Sequence, residues 1–251
     1  MNRSICIICK RKLIRSKMIQ HGQHWTCASC VIGSTEINKS RIRVLNLYAG
    51  IGGNRFLWPG NLDITAVEMN PKIAAEYKIN FPGDTIIIAD AHNYLLHNYM
   101  NYDIIWSSPP CQTHTRMNYI LEKKRYIDLG LYQEIILLKN FFSGKYVIEN
   151  VSPYYNPLIG AEFKLCRHLF WTNVKHLNDV ILPEFEAQFR GARKGINVMD
   201  RKSICRWLGI PDGSKTIYLS GKSSEQVYRN CVHPKLGLSI MNDILKSMTG
   251  K

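Results

Sequence analysis

Arg43-Val44-Leu45-Asn46-Leu47-Tyr48 runs directly into Ala49-Gly50-Ile51-Gly52-Gly53, and this junction decides the fold. A short apolar run closed by a glycine-rich turn reads as a buried strand ending where backbone can approach a ligand, because glycine has no Cβ. The turn is not G-x-x-x-x-G-K-[ST], so nucleoside triphosphate hydrolysis is not indicated. The pattern repeats outward from it. Asp63 to Val67 reads as a second strand ending at Glu68, followed by a helix over about 71–80. Thr85 to Ala89 is a third strand ending at Asp90, and Asp103 to Trp106 a fourth. A leucine- and isoleucine-rich helix spans roughly Leu131 to Phe142, and Lys145 to Ile148 is a fifth strand ending at Glu149. Short apolar strands alternating with helices predict an α/β fold, a doubly wound and mostly parallel Rossmann-like sheet. Ligands of such sheets bind beyond the carboxyl ends of the strands. The glycine turn, Glu68, Asp90, Pro109 to Gln112 and Glu149 all fall at that edge.

Ser108-Pro109-Pro110-Cys111-Gln112 closes the fourth strand. Each proline ring fixes φ near −65° and restricts the residue before it, so Cys111 is presented rigidly, as a candidate nucleophile. The plainer reading is a proline turn with an incidental thiol. Glu68 is placed to accept hydrogen bonds from ribose hydroxyls and Asp90 from an adenine amino group, although each alone also reads as a cap or a surface charge. Taken together they predict an adenosine-type cofactor without a phosphate requirement, S-adenosylmethionine.

The chain has 251 residues, with 33 Lys and Arg against 19 Asp and Glu, a net charge of +14. Such a balance favours a polyanionic partner, most simply nucleic acid, although a basic protein that is merely soluble has the same charge. No apolar run approaches the roughly 18 residues of a membrane span, and Met1 to Cys6 contains no signal-peptide core. The expectation is a cytoplasmic protein with no membrane partner. Four of the eight cysteines cluster in the first 30 residues and the others lie far apart, which suits a reducing compartment.

That cluster is Cys6-x2-Cys9 and Cys27-x2-Cys30, separated by 17 residues. Two such pairs predict a zinc ribbon or knuckle with four thiolates on one structural Zn2+. Disulfides or free thiols are the alternatives. His21 and His24 read as surface or supporting residues. Lys10, Arg11, Lys12, Arg15, Lys17 and Trp25 suit a nucleic-acid backbone with a base to stack on, and equally a solvated charged face. Residues 31–40 read as a linker. The expected organisation is a zinc segment at 1–38, a catalytic S-adenosylmethionine-binding domain at 39–174, a short target-recognition region at 175–197, and a segment at 198–251 returning to the catalytic domain.

Leu47 to Gly53, Pro109-Pro110-Cys111-Gln112 and Glu149-Asn150-Val151 occur in the order and spacing of DNA cytosine-5 methyltransferases, and the chain resembles that family from about Arg43 to its end. Arg167 resembles the second arginine of the family's Q-x-R-x-R motif. Asp200 to Asp212 resembles a later helix of the family, and Tyr228 to Gly237 its closing segment. The resemblance implies S-adenosylmethionine as cofactor and DNA as partner, with a target base flipped out of its stack. It implies that Cys111 adds to carbon 6 of cytosine, that Glu149 protonates ring nitrogen 3, and that Arg167 binds the oxygen at position 2. Tyr48, Gly50, Gly52, Gly53, Glu68, Asp90, Pro109, Asn230 and Val232 are the residues it implies for the cofactor.

There are departures. Ser107 and Ser108 stand where the family has glycines or glycine-phenylalanine, and Thr113-His114-Thr115 follows where a glycine and an aromatic are usual. His114 is near enough in the chain to influence the Cys111 thiolate, but a loop histidine this close to polynucleotide reads more simply as contacting phosphate or water. Leu165 replaces the first arginine of Q-x-R-x-R, and Arg229 and Cys231 replace a glycine and a small residue of the closing motif. Only about 175–195 remains for target recognition, so the zinc segment is expected to contribute to DNA binding. Rival readings are RNA methylation by the same cysteine chemistry, an amino-methyltransferase with a [DNS]-P-P-[YFW] motif, and a catalytically idle zinc-dependent DNA-binding protein. Target sequence, strand preference, oligomeric state and any cognate restriction enzyme stay open.

Overall fold

In the computed structural model the described residues are 41–116, 118, 125–176, 201–212 and 226–249, with the backbone alone for 3–5, 12–14, 18–21, 24–27 and 224–225. The chain forms two compact units, 1–41 and 42–251. In the first, β1 (Arg3–Ile5) pairs antiparallel with β2 (Lys12–Ile14), and β3 (Met18–His21) with β4 (His24–Cys27). The proposed zinc ligands Cys6, Cys9 and Cys30 lie outside the described residues, as do the side chain of Cys27 and all but the first two residues of the recognition region over 175–197.

The second unit is built on β5 (Ile42–Leu47), β6 (Leu62–Val67), β7 (Thr85–Ile87), β8 (Ile104–Ser107), β9 (Lys145–Val151), β10 (Phe163–Leu165) and β11 (His168–Thr172). Their order across the sheet is β7-β6-β5-β8-β9-β11-β10. β5 to β9 are mutually parallel, whereas β11 runs antiparallel to β9 and β10 antiparallel to β11. The five parallel strands are those expected from sequence. The hairpin was not foreseen, since β10 is only three residues long and only half-buried.

Alternation along β5 shows why the strand reads as a continuous apolar run. Leu45 and Leu47 enter one core layer with Leu131, Ile135 and Leu138. Val44 enters the opposite layer with Trp106, Leu236, Ile240, Met241 and Ile244. A parallel strand buried on both faces has no polar side to alternate with. The first layer is supplied by the helix Gly130–Phe141 (α3), and the second by the final helix, Pro234–Thr249 (α6). Helix α1 (Pro71–Asn80) starts where Asn70 accepts from the backbone N–H groups of Lys72 and Ile73, with Pro71 at its first position. The shorter α2 (Ala91–Asn98), α4 (Arg201–Leu208) and α5 (Ser224–Arg229) complete the unit. Among the described residues no helix is long and apolar enough to cross a membrane.

Chain order runs outward in both directions from β5: β6 and β7 on one side, β8 and β9 on the other. The turns leaving β5 and β8 therefore diverge, and a crevice opens at this switch point. It contains a cavity of about 650 Å³.

Candidate active site

Tyr48, Gly50, Gly53, Glu68, Pro109, Cys111, Glu149, Arg167, Asn230 and Val232 all line this one cavity. They come from six separate stretches of chain. Two residues expected among them do not line it. Gly52 has φ 87, and a Cβ there would strike the ring of Phe81, so its glycine serves backbone conformation and packing. Asp90 is the N-cap of α2, accepting from the Asn93 N–H at 2.8 Å. Gly53 lines the cavity, yet its small size is required elsewhere: an added Cβ would sit 2.5 Å from Cys231 Cβ and 2.9 Å from the Val232 carbonyl.

On one wall the polar groups are held by the protein itself. Glu68 accepts the Gly50 N–H at 3.0 Å on Oε2 and the Asn70 N–H at 2.8 Å on Oε1. A carboxylate has about four lone-pair sites, so this fixed group can still accept from two hydroxyls. A Cβ at Gly50 would meet nothing within 4 Å, the open space a ligand against this turn requires. Tyr48 has φ 54, uncommon for a bulky residue and held by surrounding structure. Its hydroxyl donates to Glu134 Oε1 at 2.6 Å, and Ser107 Oγ donates to Glu134 Oε2 at 2.5 Å. His92 Nδ1 lies 3.0 Å from Glu134 Oε1, and that hydrogen bond raises the histidine's pKa. Glu134 is wholly buried on α3 and ties the end of β8 to the turn after β5.

The other wall carries the reactive groups. Asn150 Nδ2 donates to the Pro109 carbonyl at 2.9 Å, clamping the proline turn to β9. Beyond the prolines, the Cys111 carbonyl accepts the N–H groups of His114 and Thr115. Burial pushes the Cys111 thiol up, the negative charge of Glu149 adds to this, and Arg167 opposes it. Glu149 is 7% exposed, and burial raises its carboxyl to about 7 against the pull of a Ser108 hydrogen bond and of Arg167. His168 Nε2 lies 3.6 Å from Glu149 Oε1. Burial, aided by Arg167, lowers that imidazole to about 3, so at neutral pH the contact is between a neutral ring and a carboxyl group rather than an ion pair. Arg167 stands in the two-residue turn of the β10–β11 hairpin, beside Cys166 at φ 53, a position that usually favours glycine.

Three contributors were not predicted from sequence. Glu134 lay in a helix whose pattern showed only its apolar side. His168 follows Arg167 in the chain, but its place against Glu149 depends on the β9–β11 pairing. Ser108 was a departure from the family pattern; it accepts from Trp106 Nε1 at 3.0 Å and reaches Glu149. The expectation for His114 is corrected: it is 1% exposed, with Nδ1 2.6 Å from the Tyr155 hydroxyl, and burial lowers its pKa. It supports the turn from inside and is not a surface contact. Among the described residues no cluster suited to a metal ion occurs.

Strand order and the crevice at the switch point are those of the doubly wound, mostly parallel α/β fold expected from sequence. Residues 42–164, just under half of the chain, match the family described as C-5 cytosine-specific DNA methylase. The chain is 29% identical over 143 residues to a tRNA (cytosine(38)-C(5))-methyltransferase of Spodoptera frugiperda, covering 54% of this chain and 41% of that protein. It is 31% identical over 83 residues to the Homo sapiens protein of the same name, covering 30% and 21%. A crystal structure of a Spodoptera frugiperda DNMT2 mutant is 16% identical, covers 81% of this chain and 99% of that one, and has a TM-score of 0.48. The matched stretch thus spans about two fifths or less of the curated relatives.

Proposed function

We propose that the chain transfers a methyl group from S-adenosylmethionine to carbon 5 of a cytosine in RNA. The observation that carries the chemistry is the meeting of Cys111, Glu149 and Arg167 in the cavity that also holds the glycine turn and Glu68. The choice of RNA rests on the two tRNA methyltransferase relatives. DNA, the partner first expected, is the second reading, favoured by the description of the matching family.

Glu68 and the turn at Gly50 suit the ribose and amino-acid parts of the cofactor, with Tyr48, Pro109, Asn230 and Val232 around them. When bound, S-adenosylmethionine supplies the electrophilic methyl group. Cys111 attacks carbon 6 as a thiolate, forming the S–C6 bond and making carbon 5 nucleophilic. Glu149 gives its proton to ring nitrogen 3 as electron density moves onto the ring, and Arg167 stabilises the oxygen at position 2. Once carbon 5 carries the methyl group, loss of its proton to a base, breaking of the S–C6 bond and return of the nitrogen-3 proton to Glu149 give back the thiolate and restore the ring. The order of the two titrations bears on this. Above pH 7 the free protein holds its proton on the Cys111 thiol rather than on Glu149. Moving that single proton from sulfur to carboxylate makes both groups competent together.

Cys6, Cys9, Cys27 and Cys30 are proposed to bind one structural zinc ion, since Cys6-x2-Cys9 lies between two paired strands and Cys27-x2-Cys30 begins at the end of β4. The substrate is tested by incubating the full chain with radiolabelled S-adenosylmethionine and cytosine-containing RNA or DNA of one sequence, then digesting to nucleosides. Label in 5-methylcytidine from RNA is expected. Label confined to the DNA digest would turn the assignment to the second reading, and label in methylated adenine would overturn both.

A further inference from the structure

Arg229 ends α5 and lines the cavity. Its Nε is buried and has no hydrogen-bond partner, and no carboxylate lies within ion-pair distance of its guanidinium among the described residues. The chain immediately after it is fixed by packing of Cys231 and Val232 on Gly53, so the arginine is carried on an anchored segment. A buried donor left unsatisfied costs free energy in the unliganded protein. The resembling family has a glycine here, so a side chain at this position is an addition of this chain. A guanidinium whose Nε is left unsatisfied among the described residues, on the lining of a ligand cavity, suits a planar, bidentate oxyanion.

Resting on the reading of the cavity as a polynucleotide methyltransferase site, we propose that Arg229 is an oxyanion-binding residue, taking an anionic oxygen that a bound ligand brings into the cavity. Two sources share this chemistry: a phosphate beside the target cytosine, and the carboxylate at the methionine end of the cofactor.

Full-length Arg229→Ala and Arg229→Lys separate these sources. Binding is measured for S-adenosylhomocysteine, for 5′-methylthioadenosine, which lacks the amino-acid carboxylate, and for a cytosine-containing RNA oligonucleotide over a range of salt. Loss of one charge-assisted contact is expected to weaken one ligand roughly tenfold or more in the alanine variant, with part of the affinity returned by lysine. If phosphate is the source, RNA affinity falls, the slope of log K against log salt drops by about 0.7, and S-adenosylhomocysteine binds as before. If carboxylate is the source, S-adenosylhomocysteine weakens while 5′-methylthioadenosine does not. In both cases the unliganded variant melts at or above the wild-type temperature, because a buried unsatisfied donor has been removed. Unchanged affinity for every ligand, or a variant that melts several degrees lower or fails to fold, would overturn the proposal. Failure of the methyltransferase reading is seen separately, as absence of a wild-type covalent adduct with 5-fluorocytosine RNA.

Discussion

The two walls of the cavity differ in how their polar groups are satisfied. On the β5–β6 wall, Glu68 is held by two backbone N–H groups, and the Tyr48 hydroxyl is held by Glu134. On the β8–β9 wall and the hairpin beside it, Glu149 is forced toward its neutral form, His168 Nδ1 has no hydrogen-bond partner, and Arg167 stands on a strained turn. The first wall is finished before any ligand arrives. The second leaves its hydrogen-bonding capacity open, which in a low-dielectric cavity makes each group strongly available to a reacting base. On the proposed function, the first wall is the cofactor wall, preorganised for binding, and the second is the substrate wall, arranged for chemistry.

Substituting across that divide should separate binding from turnover. The largest effect is expected at Glu149. Glu149→Gln keeps the shape and removes the proton, so kcat should fall about 10²- to 10⁴-fold with cofactor affinity unchanged, as read by single-turnover methylation and calorimetry. The same substitution has a stability signature. The carboxyl sits at about 7 in the fold, above its ordinary 4.5, so the folded state holds the proton more tightly than the unfolded chain. Its contribution is complete below about pH 4.5 and is lost as pH rises through 7, a difference of about 3 kcal/mol. Glu149→Gln should therefore melt higher than wild type at pH 8 and nearly level with it at pH 4.5; equal melting at pH 8 would contradict the burial argument.

Next in size is Glu68→Ala, for which S-adenosylhomocysteine binding should weaken roughly ten- to a hundredfold while affinity for RNA stays unchanged. Equal loss of both ligands would erase the distinction between the walls. The pH dependence of kcat/KM should rise through about 7, as the proton comes to reside on Cys111 alone, and fall only where the thiol itself ionises. A profile already highest at pH 5 would contradict the single-proton account. The smallest effect is Tyr48→Phe, which deletes one hydrogen bond to a carboxylate that keeps two others. About 1 kcal/mol of stability and a few-fold rise in the cofactor dissociation constant are expected.

The substrate wall was more legible in the sequence than the cofactor wall that supports it. Cys111, Glu149 and Arg167 sit in short local patterns whose residue types follow from the chemistry. Their shared edge follows from strands that alternate with helices. What holds Tyr48 could not be read, because Glu134 is 86 residues away and the helix period reports only which face is apolar. Asp90 and Gly52 were assigned to the cofactor by position at the sheet edge, but a helix start and the Phe81 ring claim them. The β10–β11 hairpin escaped notice because three half-buried residues carry too little pattern, although Arg167 depends on it.

The central claim is that Cys111 forms a covalent bond to a cytosine that Glu149 protonates. It is tested most directly by incubating the full chain with S-adenosylmethionine and RNA containing 5-fluorocytosine, then separating under denaturing conditions. Fluorine cannot leave carbon 5 as a proton does, so the account predicts a protein–RNA adduct that survives denaturation and is absent from Cys111→Ser. An adduct that persists in Cys111→Ser, or its absence from the wild type under conditions where normal RNA is methylated, would contradict it.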